Sequence, residues 1–224
     1  MKRLLILIIV TIIIIFFQYD HINKVNNSLE ILQYDNPGKQ LFENIIYNKL
    51  ICVFTNIPLS DNVSLNLDNL NNSNYNLLSI GDKQKFNKFI KNSFSYYNIP
   101  LCVEEHFKLN FSKNVKNKII KQKNYRELIF QYQDSITLYI FSPNQKHLLY
   151  FNDKLNISNV DFFKQDIKKY PLITQAKYIE IKLNPGNMIC IPPNWFYTYK
   201  YDTTDSISIH CISNSIFSKF LLKS

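Results

Sequence analysis

Apolar residues fall into runs of different kinds along this chain, and each kind predicts a different element. Leu4 to Phe17 is apolar throughout except at Thr11 and has no polar face, which predicts a membrane-inserting helix rather than an amphipathic one. Leu50 to Ile57, LICVFTNI, is short and β-branched and predicts a buried strand. Phe86, Phe89, Ile90 and Phe94 recur at helical spacing and predict an amphipathic helix over Asp82 to Phe94. From Leu128 onward the runs are strand-length: Leu128 to Tyr132, Ile136 to Phe141, Tyr178 to Leu183, Met188 to Ile191 and Phe196 to Tyr201. In the last run, Ser206, Ser208 and His210 alternate with Ile207, Ile209 and Cys211, so one face is polar and the other apolar.

Turn chemistry joins these strands. In Asn184-Pro185-Gly186-Asn187, proline presets φ at the second place and glycine accepts a positive φ at the third, which predicts a hairpin between YIEIKL and MICI. Gln133-Asp134-Ser135 predicts a second hairpin, and Pro192-Pro193-Asn194 ends MICI because proline has no N–H to donate. So many short strands predict a mainly β barrel or sandwich with flanking helix. Ser60 to Ser79 reads as an irregular loop. Residues 20–40 read as a polar stalk with a short helix around Ser28 to Gln33, broken at Asn36-Pro37-Gly38.

At 224 residues and 46% hydrophobic content, the chain is expected to form one domain over 41–224, behind the anchor (1–19) and the stalk (20–40). Fourteen apolar residues reach about 21 Å as a helix, short of the roughly 30 Å hydrocarbon core and in the range of a signal-peptide h-region, though Gln18 and Tyr19 can extend the span at the interface. Lys2 and Arg3 precede it and no small-x-small cleavage pattern follows, which favours a retained single-pass anchor through residues 4–19 over a secreted, cleaved form. The positive flank places the N-terminus in the cytoplasm and the domain on the lumenal or extracellular side. Sequons at Asn26, Asn62, Asn71, Asn110 and Asn156 suit that side but are cheap in so Asn-rich a chain. The net charge of +9 is scattered lysine without arginine-rich blocks, so no nucleic-acid partner is expected. Cys52, Cys102, Cys190 and Cys211 lack metal-type spacing; as a disulfide, Cys190 with Cys211 is the first pair to test.

Gly186, Pro192, Trp195 and Phe196, followed by a strand, resemble the second signature of the cupin superfamily. Phe141, Pro143, Leu149, Tyr150, Asp161-Phe162-Phe163 and Tyr170-Pro171 narrow the resemblance to the JmjC and cupin-like 2-oxoglutarate oxygenases, in the branch of the asparaginyl hydroxylase that acts on the hypoxia-inducible factor. It covers about residues 121–213. The resemblance implies a double-stranded β-helix, a jelly-roll barrel, and in its active members an Fe(II) held by two histidines and a carboxylate, with 2-oxoglutarate gripped by a lysine. Here the two upstream ligand positions fall on Lys121 and Lys123, the last on Tyr197, and the co-substrate lysine position on Ile136.

A protonated ammonium has no lone pair to give, and a neutral phenol is a poor ligand for Fe(II). The expectation is therefore a domain that keeps the scaffold, with no catalytic residues, metal or cofactor, and acts as a binding or interaction module. An asparagine stands near His210 in the resembling enzymes, on a strand whose polar face points into the barrel mouth. Lys121, Lys123, Tyr197 and His210 are thus expected to line a remnant pocket, net positive, for an anionic small ligand, with a protein partner as the other choice. Two readings stay open beside it: an active Fe(II)/2-oxoglutarate-dependent hydroxylase with displaced ligands, for which Glu104, Glu105 and His106 are the available acid-plus-histidine cluster, and a purely structural membrane protein. His21 reads as stalk and His147 as surface.

Overall fold

A computed structural model describes residues 2–57, 102–112, 118–215 and 218–219. The amphipathic helix expected over 82–94 and the loop expected over 60–79 lie outside the described residues. Helix α1 (Lys2–Asn23) leads into strand β1 (Ile31–Asp35), helix α2 (Lys39–Tyr47) and strand β2 (Ile51–Thr55). Then come β3 (Cys102–Phe111), β4 (Lys118–Lys121), β5 (Arg126–Gln133), β6 (Ile136–Phe141), β7 (Phe151–Asn152) and β8 (Ile157–Asp161). The chain closes with β9 (Tyr178–Leu183), β10 (Met188–Ile191), β11 (Phe196–Tyr201) and β12 (Ile207–Ser215).

The strands form two six-stranded sheets, in the orders β1-β2-β10-β5-β12-β3 and β7-β8-β4-β11-β6-β9. The two expected hairpins are absent. Strand β9 pairs with β6 in the second sheet and β10 with β5 in the first, so each tight turn carries the chain from one sheet to the other. The physical reason is that β5–β6 and β9–β10 run antiparallel as one long ribbon, which coils on itself; the turns sit side by side on it. Gly186 N donates to Gln131 O at 3.0 Å and Gln131 N to Asn187 O at 2.9 Å, tying the 184–187 turn to β5. Gly186 itself has φ +84, as the proline-glycine turn requires.

The stretch expected as a stalk also behaves differently: Ile31–Asp35 is an edge strand, parallel to β2 with Ile31 opposite Ile51, and no helix forms at 28–33. An exposed, alternating ILQYD can complete an open edge where five polar-flanked residues could not sustain a helix. The break at Asn36-Pro37-Gly38 does separate elements, and α2 starts at Lys39.

Core packing explains why MICI and ITLYIF show no alternation: every residue of β10 is buried, and likewise of β6. Phe42 and Ile45 of α2 cover the outer face of the first sheet, against Cys52, Phe54, Leu128 and Phe130. Between the sheets lie Val53, Ile129, Ile136, Leu138, Ile140 and Ile189, among others. A third cluster, with Tyr139, Phe141, Phe162 and Phe196, covers the outer face of the second sheet, and the Phe141 and Phe162 rings meet edge-on at 5.3 Å. Two of the sequons sit in this fabric: Asn110 is buried in β3, and the Asn156 amide donates to Lys121 O at 3.2 Å.

Helix α1 is set apart. Arg3–His21 has mean hydropathy 2.2 and touches the domain only at its C-terminal end, where Gln18 and His21 are half-buried; it is one helix long and apolar enough to cross a membrane. The helical run exceeds the fourteen apolar residues because Gln18 to Asn23 continue it. Thr11 Oγ1 donates to Leu7 O at 2.8 Å, which satisfies its hydroxyl within the helix.

Candidate functional site: a buried Glu-His-Tyr group between the sheets

Strand alternation decides which side chains meet between the sheets. On β12, Ile207, Ile209 and Cys211 face α2, which turns Ser208 and His210 inward. On β11, Tyr197 lies opposite Ile140 and Ile120 and points inward with Tyr199 and Tyr201. On β5, Glu127 stands opposite Ile191 and Ile212, two residues from the inward Ile129, and so shares that face.

The three polar groups converge. Tyr197 donates its hydroxyl to Glu127 Oε1 at 2.7 Å, and His210 Nδ1 lies 3.0 Å from the same oxygen. Glu127 and His210 each retain only 5% of their side-chain exposure, so this is a buried pair in which each group depends on the other. His210 Nε2, an acceptor in the tautomer whose Nδ1 carries the proton, is buried with no partner among the described residues. Gln131 Oε1, on the same face of β5, is a second such acceptor. Burial, and then the Glu127 charge, hold the Tyr197 phenol well above its ordinary range. Burial likewise pushes Tyr199 up to about 12, and its ring lies 5.9 Å from that of His210. Tyr201 and Ser208 share a 3.0 Å hydrogen bond beside them.

Of the four residues expected to line one pocket, the structure brings Tyr197 and His210 together. Lys121 does not join them. It stands opposite Phe196, whose ring belongs to the outer cluster, so one step along β4 from the inward Ile120 turns it to the far side of the sheet. There burial, and next the Lys146 charge, lower its ammonium below the usual range, with Asp153 acting in the opposite sense. Lys123 lies past the end of β4, so the strand that was to put both lysines on one inward face stops too early. In place of the expected net-positive pocket stands a buried polar group that holds a carboxylate. Glu127 itself was missed: Glu127, Gln131 and Gln133 share a strand face with the apolar Ile129, which blurs the alternation, and a strand begun at Leu128 leaves Glu127 out.

The iron that the resemblance implies does not fit these donors. Glu127 and His210 Nδ1 bind each other, Tyr197 binds the same carboxylate, and Ile136 is fully buried in the apolar interior. The 104–106 cluster is divided by its strand: Glu104 pairs with His106 at 3.0 Å, while Glu105 alternates to the other face. No group of three or more His, Cys, Asp or Glu able to hold a metal ion occurs among the described residues.

A family model described as a cupin-like domain matches residues 65–212. The chain belongs to the cupin-like domain family. JmjC domain-containing protein D of Dictyostelium discoideum is 40% identical over 65 residues, covering 27% of this chain and 14% of its own length. The tRNA wybutosine-synthesizing protein 5 of Homo sapiens is 32% identical over 71 residues, 31% of this chain and 22% of that protein. The HSPB1-associated protein 1 homolog of Danio rerio is 27% identical over 75 residues, 31% of this chain and 17% of that protein. The chain thus spans less than a quarter of the length of these relatives. Among solved structures, the cadmium-bound acireductone dioxygenase of Bacillus anthracis aligns over 79% of this chain and 84% of its own, at 11% identity and TM-score 0.42. A dTDP sugar isomerase of Desulfovibrio desulfuricans aligns over 53% and 60%, at 12% identity and TM-score 0.32.

Proposed function

We propose that this cupin-like chain is a membrane-anchored binding module that does not perform Fe(II)/2-oxoglutarate chemistry. The observation that carries the reading is Tyr197: at the position of the last iron ligand stands a phenol that donates to Glu127 and is held neutral by burial. The carboxylate and the imidazole that could serve a metal are bonded to each other instead. The ligand that suits the interior is one offering N–H or O–H donors, because Gln131 Oε1 is a buried acceptor with no partner among the described residues and His210 Nε2 is unpartnered there too. An anionic ligand has less support, since Lys121 faces the other way. Helix α1 supplies the anchor.

The test is iron retention and turnover. Purified full-length chain reconstituted with Fe(II) and 2-oxoglutarate under anaerobic conditions is expected to hold far less than one iron per chain and to form no succinate when oxygen is admitted. Stoichiometric Fe(II), measured by elemental analysis, together with succinate formation, overturns the reading in favour of an active hydroxylase.

A further inference from the structure

Where α1 meets the domain, away from the inter-sheet site, a cleft of about 540 Å3 opens. Its lining is basic and amide-rich: the ammonium groups of Lys24 and Lys49, the His21 ring and the carboxamides of Asn26, Asn27 and Asn48, and no carboxylate among the lining residues. Tyr47 closes one side, its ring 4.4 Å from that of His21. The cleft is built by a definite contact. Lys49 is buried, and its ammonium donates to the carbonyls of His21 and Lys24, so a cation caps the C-terminal end of α1 and fixes the helix against the α2–β2 connection. Burial, then the Lys24 charge, lower the Lys49 ammonium to about 8, with Asp20 acting in the opposite sense. Cations gathered this closely repel one another, and an anion placed among them relieves that repulsion.

Location narrows the anion. The apolar span ends at His21, so this cleft sits where the hydrocarbon region gives way to headgroups. A second cleft of about 180 Å3 shares Asn26, Lys49 and Leu50 with the first; Leu32, Ile51 and Trp195 give it an apolar wall beside the basic one, and Ser28 and the carboxylate of Glu30 complete its lining. We propose that this junction is a binding site for the phosphate headgroup of an anionic phospholipid. The phosphate oxygens accept from the exposed Lys24 ammonium and the asparagine amides, while Lys49, engaged with the helix end, contributes its charge. The proposal rests on α1 spanning the membrane.

The full chain in nanodiscs of phosphatidylcholine, with and without phosphatidylglycerol, provides the test, with lipid retained on the released protein counted by native mass spectrometry. Phosphatidylglycerol is expected to be retained in preference to phosphatidylcholine. The preference should fall about fivefold in Lys24→Gln, the effect of one basic charge near a lipid surface, and persist in Lys24→Arg. Lys24 is exposed, so these variants leave the fold intact. Equal retention of the two lipids by the unmodified chain, or a Lys24→Gln variant with undiminished preference, overturns the proposal. Inorganic phosphate is the second arm: if it displaces phosphatidylglycerol at millimolar concentration, the cleft is a free-phosphate site and the lipid assignment falls. Alkaline carbonate extraction separates the underlying reading, since release of the chain from membranes sinks the anchor itself, whatever the lipid counts.

Discussion

Glu127 accepts from two neighbours inside a dry interior, and that sets what its replacement costs. Glu127→Ala leaves the Tyr197 hydroxyl and His210 Nδ1 without an acceptor; the expected loss is about 3–5 kcal/mol in urea unfolding, the size found when one partner of a buried pair is removed. Glu127→Gln keeps an acceptor for Tyr197 and should lose clearly less; equal losses would show that the carboxylate is not what joins the two side chains. The tyrosines give a second handle. Tyr199 is raised to about 12 and Tyr197 and Tyr201 are raised as well, so the neutral phenols favour the folded state. That contribution is complete below about pH 10, where unfolded tyrosine titrates, and is lost as pH climbs from there through the folded values. Tyrosinate absorbance is therefore expected to lag in the native chain and then rise together with unfolding between about pH 10 and 12. Smooth titration of all the tyrosines near pH 10 in a still-folded chain would contradict the buried phenols.

Among the elements, the turn at 184–187 does most to route the chain. Gly186 has φ +84 and nothing within 4 Å of where a Cβ would stand, so Gly186→Ala pays only for backbone conformation. The expected cost is about 1–2 kcal/mol, measured by thermal or urea unfolding, with the sheet pairing retained. A larger loss would mean that the turn, pinned to Gln131 and Ile57 by backbone hydrogen bonds, cannot tolerate even a small shift. Sheet order also revises the cysteines. Cys190 stands directly opposite Cys52, while Leu128 lies between Cys190 and Cys211. Two strand spacings separate that latter pair by about 9–10 Å, beyond the reach of a disulfide. Local apolarity located the strands from β9 to β11 well; the sheet each strand joins depends on pairings as distant in sequence as Cys52 with Cys190, which no short window contains.

For the whole molecule, an apolar α1 joined to a folded cupin-like domain predicts that the chain sediments with membranes after carbonate extraction, and that a version beginning at Lys24 does not. Recovery of the full chain in the soluble fraction would remove the anchor. Much of this organisation was legible beforehand, because an unbroken apolar run, a proline-glycine turn and the Gly186, Pro192 and Trp195 landmarks are local signals. The strand Ile136–Phe141 was placed residue for residue by its composition alone. The site was legible only in half. His210 and Tyr197 lie inward as alternation on their strands implies, whereas Lys121 was put inside by the alignment and is outside by one residue of register. Sequence by itself determined the strands Ile136–Phe141, Tyr178–Leu183, Met188–Ile191 and Phe196–Tyr201, and which helix is apolar enough to enter a membrane. Tertiary structure alone decided that the turns cross between sheets, that residues 31–35 close an edge, and that Glu127 holds Tyr197 and His210 together. The reason is physical: a period of two tells which residues share a face, and only the pairing of distant strands tells which face is buried against which.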